Sequence, residues 1–469
     1  MNAPRHPSSR ACGSLRVTVE ENPQKSASSL SCHIGRDLVV DYRLLEEFLF
    51  QRMGPLAFDF ALLTGIIGYV DRIFLRSRQG IWARDLHVQI PVHEPDHWRS
   101  RLVSGALTDC LTFLTGDNWS ISFVPREAPD PWLQNQQFLP LRAFEPSYVI
   151  PFSGGMDSWA VTQLVRSHEP TANLLLVQIK NPSATSILTE SQNRTSLQGS
   201  IQSICLPFRF RGIRRREHTY RSRSFVYFGA AALAAVVSGC NRVIITENGQ
   251  GSVGASFLPY AHEWPLRGAH PGFTSRLRRL IRAIFSTDIE FEHRALWSTK
   301  GETLNILKRL NTHQSWHKTF SCTRYRPKLP VSNPRIDCGV CGNCLLRRVA
   351  IQSAHLWAQS ERYIWDDLSA TDLNDALVPT AKRPTNPTDI SYAIHAVKDM
   401  ASLGHLASPR ATLSYLAVEE LADGLNLTIE ETNTNLKTLF SQHADEWSSF
   451  LGDFPGQSWI KNVAGFWDE

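Results

Sequence analysis

Six consecutive residues, Ser153-Gly154-Gly155-Met156-Asp157-Ser158, concentrate the chemistry of this chain. They follow a short apolar run, Tyr148–Phe152, and open a helical pattern that continues through Val165. Paired glycines let a backbone approach an anion closely and take up positive φ. Backbone N–H groups at a helix start then point at that anion, and the helix dipole adds to the attraction. Ser153 and Ser158 add hydroxyl donors. Asp157 beside a phosphate is repelled unless it binds a cation or orients a donor, which suits Mg²⁺. The plain alternative is a strand-to-helix turn with a Ser or Asp cap.

A second cluster lies downstream. Cys338-Gly-Val-Cys341-Gly-Asn-Cys344 sets three thiols at two-residue gaps, and Cys322 precedes them. Four thiolates able to turn back on one ion make a closed tetrahedral Zn²⁺ site, structural rather than catalytic. The same donors suit an iron–sulfur cluster, and a CxxC pair suits thiol exchange; zinc is the reading the spacing favours. Cys205 and Cys240 are single, lie on apolar runs and read as buried hydrophobes. Nine cysteines, an odd number with four of them clustered, point to a reducing cytoplasm.

These groups need elements to hold them. From Tyr148 onward apolar strands (Tyr148–Phe152, Leu174–Ile179, Arg242–Thr246) alternate with helical runs at 156–165, 188–204 and 224–237. That alternation implies βαβ units and a parallel sheet covered on both faces. Ligands of such sheets bind outside the carboxyl ends of the strands, where both the 153–158 loop and the Glu247-Asn248-Gly249 turn fall. In front, Leu15/Val17/Val19, Trp82/Arg84/Leu86/Val88 and Trp119/Ile121/Phe123 alternate as strands around a helical run from Tyr42 to Leu75. Leu56–Val70 contains Asp59, is too short to span a bilayer, and reads as a buried helix. Pro125–Pro131 reads as a turn region. Behind, Ile390–Leu403, Thr412–Leu421 and Thr428–Phe440 read as amphipathic helices. The expected plan is an N-terminal α+β extension (1–145), an α/β parallel-sheet core ending in the cysteine knuckle (146–355), and a helical C-terminal region (356–469).

The loop resembles the SGGxDS signature of PP-loop ATP-pyrophosphatases. Cys322 with Cys338-Gly339-x-Cys341-x-x-Cys344-x-x-Arg347 is similar to the zinc motif of QueC, the 7-cyano-7-deazaguanine synthase family. Arg221-Ser-x-x-Phe225 resembles that family's Arg-Asn-x-x-Phe, and Thr299-Lys300-x-Glu302 its lysine-bearing turn. The likeness covers residues 147–355. It implies a HUP-like fold and ATP, Mg²⁺ and Zn²⁺ as cofactors. It implies nucleotide contacts at Ser153, Gly154, Gly155, Met156, Asp157 and Ser158, with Asp157, Lys300 and Arg221 catalytic. Lys300 and Arg221 would neutralise developing phosphate charge; helix-end capping is their plain alternative.

The chain departs from the family in its length and in the 247–270 segment, which lacks the usual Tyr-Pro-Asp-Cys-Arg run. Its architecture is similar to the longer, QatC-type proteins of anti-phage systems. That likeness implies adenylation of 7-carboxy-7-deazaguanine, then amide formation with ammonia or with the N-terminal amine of a partner protein. His262 and His270 are the nearest candidates for a base that deprotonates the amine. Two alternatives stand: a tRNA-modifying PP-loop enzyme, and a non-catalytic interaction module.

The 469 residues, 42% hydrophobic and 20% charged, can bury a sizeable core and exclude wholesale disorder. A net charge of +5 leaves a nucleic-acid partner undecided. The local run Arg209, Arg211, Arg214, Arg215 and Arg216 suits phosphates or an acidic partner, against a solvated loop. MNAPRHPSSR carries no apolar signal region, and no stretch suits a membrane.

Overall fold

The computed structural model describes residues 14–21, 30–40, 45–46, 53–76, 82–127, 144–179, 199–206, 208–211, 216–258, 263–322, 336–357, 361–379 and 384–465. The chain begins with β1 (Ser14–Glu20), β2 (Leu30–His33) and β3 (Leu38–Val40), followed by helix α1 (Pro55–Ile73). Then come β4 (Asp85–Val92), α2 (Pro95–Arg99), α3 (Arg101–Thr115) and β5 (Asn118–Pro125). Four of these strands form one sheet in the order β2-β1-β4-β5, every pair parallel. The expected α+β arrangement of this region is therefore corrected to α/β. Helical crossovers, α1 before β4 and α2–α3 before β5, bring each strand back in the same direction.

The strand expected from Trp82 begins only at Asp85. Arg84 gives its N–H to Asp117 Oδ1 instead of to a ladder, and its side chain is drawn into a buried ion cluster. Proline at its first position starts α1. Nearly every side chain of α1 is buried, as a helix between two layers must be.

The second sheet is built from β6 (Tyr148–Pro151), β7 (Leu174–Gln178) and β8 (Ile201–Cys205), with β10 (Arg242–Ile244) and β11 (Glu290–Glu292). Its order is β11-β10-β6-β7-β8, all parallel. The helix expected over 188–204 is corrected at its end: Ile201–Cys205 pairs with Leu174–Gln178 as a strand. Ile201, Ile204 and Cys205 recur at helical spacing, but pairing with β7 overrides so short a local pattern. Residues 188–198 lie outside the described ones. Strand β9 (Phe208–Phe210) pairs antiparallel with β3 and ties that strand to the segment that follows β8.

Helices α4 (Met156–His168) and α5 (Arg223–Ser238) flank the second sheet. One cluster of buried side chains runs from Val17 through Phe60 and Phe225 to Ile289, so the two sheets share a core across α1 and α5. Beyond lie α6 (Gly249–Val253), α7 (Pro271–Phe285), α8 (Lys300–Arg309) and α9 (Gly342–Ser353). The C-terminal helices are α10 (Pro387–His405), α11 (Tyr415–Leu425), α12 (Ile429–Gly452) and α13 (Trp459–Ala464). The four clustered cysteines pack in one core with Leu436, Leu439, Phe440 and Trp447 of α12. Among the described residues, no helix is long and apolar enough to cross a membrane.

Candidate functional site

The second sheet reverses direction at β6, which lies between β7 and β10. Its ligand crevice therefore falls outside the carboxyl ends of β6 and β10, where two loops meet. Thr246 Oγ1 donates to Pro151 O at 3.2 Å and fastens them together.

After β6, Gly154 takes φ +75°, a turn that favours glycine, and Gly155 caps α4. The Ser153 and Ser158 hydroxyls converge at 3.2 Å, and Ser158 also donates to Gly155 O. Asp157, in the first turn of α4, accepts from Lys300 Nζ at 2.8 Å and from Asn248 Nδ2 at 2.8 Å. Lys300 is only 4% exposed, and a charge so placed needs a partner. Its turn is fixed by a capping box: Glu302 N–H donates to Thr299 Oγ1, and Thr299 N–H to Glu302 Oε2.

After β10, Asn248 caps α6 through Oδ1 and gives Nδ2 also to Glu247 Oε1 at 3.2 Å. Burial, and then the charge of Asp157, push the Glu247 carboxyl up to about 8; Lys300 and Arg223 act the other way. Two carboxylates, one lysine and a helix start thus share a small region. Such a set can hold a divalent cation beside an anion, with Lys300 as the neighbouring positive charge.

Arg221 lies at the start of α5, a helix that runs back against its strand and so begins at the same rim as the loops. It is placed by Glu263, at 3.8 Å, and by the Trp82 ring, 4.8 Å from its guanidinium carbon. Ser222, next to it, donates from both N–H and Oγ to Asp71. The contacts that place Arg221 thus come from the N-terminal layer and the 263–267 segment. His270 is corrected from candidate base to cap: it is fully buried, its Nδ1 accepts Gly272 N–H, and burial drives it well below the usual histidine range. His262, Arg214 and Arg215 lie outside the described residues. Arg209, Arg211 and Arg216 are exposed.

The Cys322, Cys338, Cys341 and Cys344 sulfurs all lie within 4.8 Å of one another. Zn–S bonds of about 2.3 Å require tetrahedral sulfurs about 3.8 Å apart; here Cys338–Cys344 is 3.7 Å and Cys341–Cys344 3.4 Å. This buried Cys₄ group could hold a metal ion such as zinc. Hydrogen bonds from Cys322, Cys338 and Cys344 favour the Cys341 thiolate. Gly339 makes the knuckle possible at φ +92°, where a Cβ would come 2.5 Å from Trp365 O. Asp337 Oδ2 accepts from Ser321 N–H and Cys322 N–H and joins the two arms. By contrast, burial raises the thiols of Cys32, Cys110, Cys205 and Cys240 and leaves them inert.

The two clusters are physically joined. Phe320, two residues before Cys322, bridges to Gly155, and its carbonyl accepts Met156 N–H at 3.1 Å. Arg347 of α9 holds the same segment through Thr319 Oγ1 and forms a two-pronged pair with Glu361.

Sequence reasoning singled out Asp157 and Lys300 and placed the Glu247-Asn248-Gly249 turn at the rim, but it gave no role to Glu247, Asn248 or Gln250 and missed His443 and Glu446. A carboxylate shortly past strand β10 was the signal for Glu247. For the last two, the signal was two polar residues on the buried stripe of α12. No family model matches the chain, and no curated protein matches it.

Proposed function

We propose that the chain is a QueC-like, ATP-dependent carboxylate–amine ligase that acts on 7-carboxy-7-deazaguanine. The observation that carries the reading is the convergence of Asp157, Lys300, Asn248 and Glu247 on the Ser153–Ser158 loop at the switch point of the parallel sheet. The loop backbone and the start of α4 would receive the pyrophosphate portion of ATP. Asp157 and Glu247 would hold Mg²⁺, which supplies charge neutralisation when bound.

In the reaction, a carboxylate oxygen of the base attacks the α-phosphorus of ATP. The bond to the bridging oxygen breaks and pyrophosphate leaves. Lys300, and Arg221 from the rim, neutralise charge that builds on the phosphates. An amine then attacks the acyl carbon, AMP departs with the bonding pair, and the amine loses a proton to give the amide. Ammonia or the N-terminal amine of a partner protein is the acceptor, the latter fitting a role in anti-phage defence. An ion held by the Cys₄ group would be structural in this scheme, and the knuckle residues steady the 319–322 segment that braces the loop. Thiolation of tRNA finds no support in the described cysteines outside the cluster, whose thiols are all raised.

The test incubates the protein with ATP, Mg²⁺ and 7-carboxy-7-deazaguanine, with and without ammonia, and follows AMP, pyrophosphate and the base by mass spectrometry. AMP and pyrophosphate that form only with the deazaguanine are expected. Intact ATP, or cleavage only with tRNA and a sulfur donor, would sink the reading.

A further inference from the structure

Helix α12 lies more than 120 residues beyond the lysine-bearing turn, yet it reaches the base of the site with two polar side chains. His443 and Glu446, three apart, share one face of that helix. Glu446 Oε1 accepts from Thr299 Oγ1 at 2.6 Å, from Gln442 Nε2 at 3.2 Å and from Ser353 Oγ at 3.4 Å. The Thr299 hydroxyl has a single proton. Giving it to Glu446 turns a lone pair toward Glu302 N–H, which is the capping bond that starts α8. Ser353 ends α9, the helix of the cysteine knuckle, so one carboxyl joins the knuckle helix to the lysine turn.

The second contact reaches Lys300 itself. Lys300 N–H donates to Gln250 Oε1 at 2.9 Å, and Gln250 Nε2 meets His443 Nδ1 at 2.8 Å. His443 Nε2 in turn donates to Met400 O at 2.8 Å, so the ring is a neutral, fixed tautomer. The Thr299–Lys300 peptide that leads into Lys300 Cα is thus set from α12, while the Lys300 ammonium rests on Asp157.

Glu446 is 4% exposed, and its Oε2 has no hydrogen-bond partner among the described residues. A buried carboxyl without a cation costs stability, and an apolar residue there would serve packing better. Gly301 makes room for it: a Cβ at that position would come 2.5 Å from Glu446 Oε1. Packing alone explains neither the carboxyl nor the space kept for it.

We infer that the helical C-terminal region is a working part of the nucleotide site, with Glu446 the positioning residue that sets Lys300. The inference rests on the ATP reading above. The experiment uses the full chain and its Glu446→Ala, Glu446→Gln, Gly301→Ala and Lys300→Met variants, measuring Mg–ATP binding by calorimetry and kcat and KM for AMP formation. Loss of one buried hydrogen bond at this position lowers kcat about tenfold in Glu446→Ala, with KM for ATP changed less than about twofold. Glu446→Gln keeps an acceptor for Thr299 and restores kcat. Gly301→Ala, which favours the helix but displaces the carboxyl, reproduces the Glu446→Ala loss.

Because Glu446 acts through Lys300, a double variant that combines Glu446→Ala with Lys300→Met is no slower than Lys300→Met alone. Additive losses, or a Glu446→Gln enzyme as slow as Glu446→Ala, overturn the inference. A Glu446→Ala chain that does not fold leaves Gly301→Ala and Glu446→Gln to decide. Wild-type protein that neither binds Mg–ATP nor forms AMP overturns the ATP reading, and this inference with it. Active wild type with an unimpaired Glu446→Ala overturns this inference alone.

Discussion

The two parallel sheets of this chain have the same kind of topology and very different carboxyl ends. Each reverses at its first strand, β1 between β2 and β4, β6 between β7 and β10, so each has a crevice of the kind that binds ligands. At the first sheet, Glu94 and Asp96 past β4 face solvent, and the shielded acidic groups are consumed internally. Glu20 faces His33 at 3.4 Å, and Glu21 pairs with Arg126 at 2.6 Å. Asp59 accepts from His93 N–H and Trp98 Nε1. At the second sheet, a glycine turn opens the backbone, and Asp157 and Glu247 are held by one lysine and one asparagine rather than locked in separate pairs. Topology supplies a crevice twice; only the loop chemistry sets one of them apart as the candidate site.

The largest expected effect sharpens this contrast through the support each sheet has. The first is held by a buried ion cluster, Asp71 and Asp117 with Arg76 and Arg84. The second leans on the Cys₄ group through Phe320. Cys344→Ser should abolish bound zinc, read as metal per chain by mass spectrometry. It should also lower AMP formation more than about a thousandfold, because a structural zinc contributes folding free energy outright and its loss unfolds the knuckle. Metal-free protein with full activity would separate the knuckle from the loop.

A smaller but more specific effect compares one cation at each rim. Lys300→Met should lower kcat about 10²–10³-fold, the size of losing one preorganised donor to developing charge. Arg126→Met, at the carboxyl end of β5, should leave kcat within about twofold. Equal losses in steady-state assays of the two variants would erase the distinction between the rims.

Much of this was legible from short-range pattern. The Ser153–Ser158 loop and the cysteine knuckle are contiguous, so their chemistry survives reading in one dimension. The strands around them are apolar runs bounded by turns. What stayed hidden depends on contacts made at long range. β8 reads equally well as a helix because Ile201, Ile204 and Cys205 recur at the i, i+3, i+4 spacing of a helix, with Gln202 and Ser203 between them. The parallel pairing of the first sheet is decided by crossovers that the strand pattern does not express. The Thr299-Lys300-x-Glu302 turn is legible as a motif, but the link of Thr299 to Glu446, 147 positions away, has no local trace. The one available sign was a glutamate and a histidine where the α12 stripe calls for apolar side chains.

The smallest predicted effect compares one buried carboxyl from each region and turns on sign. Burial alone would raise Asp71, but Arg84 and Arg76 outweigh it and hold the group far below the usual aspartate range. Asp71 therefore contributes stability above the unfolded aspartate range, and that contribution is lost as pH falls toward its folded value. Glu446 has no such cation. Burial, with Glu302 adding to it, pushes its carboxyl up to about 7, against hydrogen bonds from Thr299, Gln442 and Ser353. The folded state therefore holds a proton that the unfolded chain releases near the ordinary glutamate value. The benefit is complete below that value and is lost as pH rises through about 7, by up to about 3 kcal/mol. Denaturant unfolding of the wild type should show stability falling between pH 5 and pH 8. Glu446→Gln, which cannot ionise, should remove that component of the slope and be the more stable chain at pH 8. An unchanged slope in the variant would mean that Glu446 is charged throughout, with a counter-charge at Oε2 as effective as the arginines around Asp71.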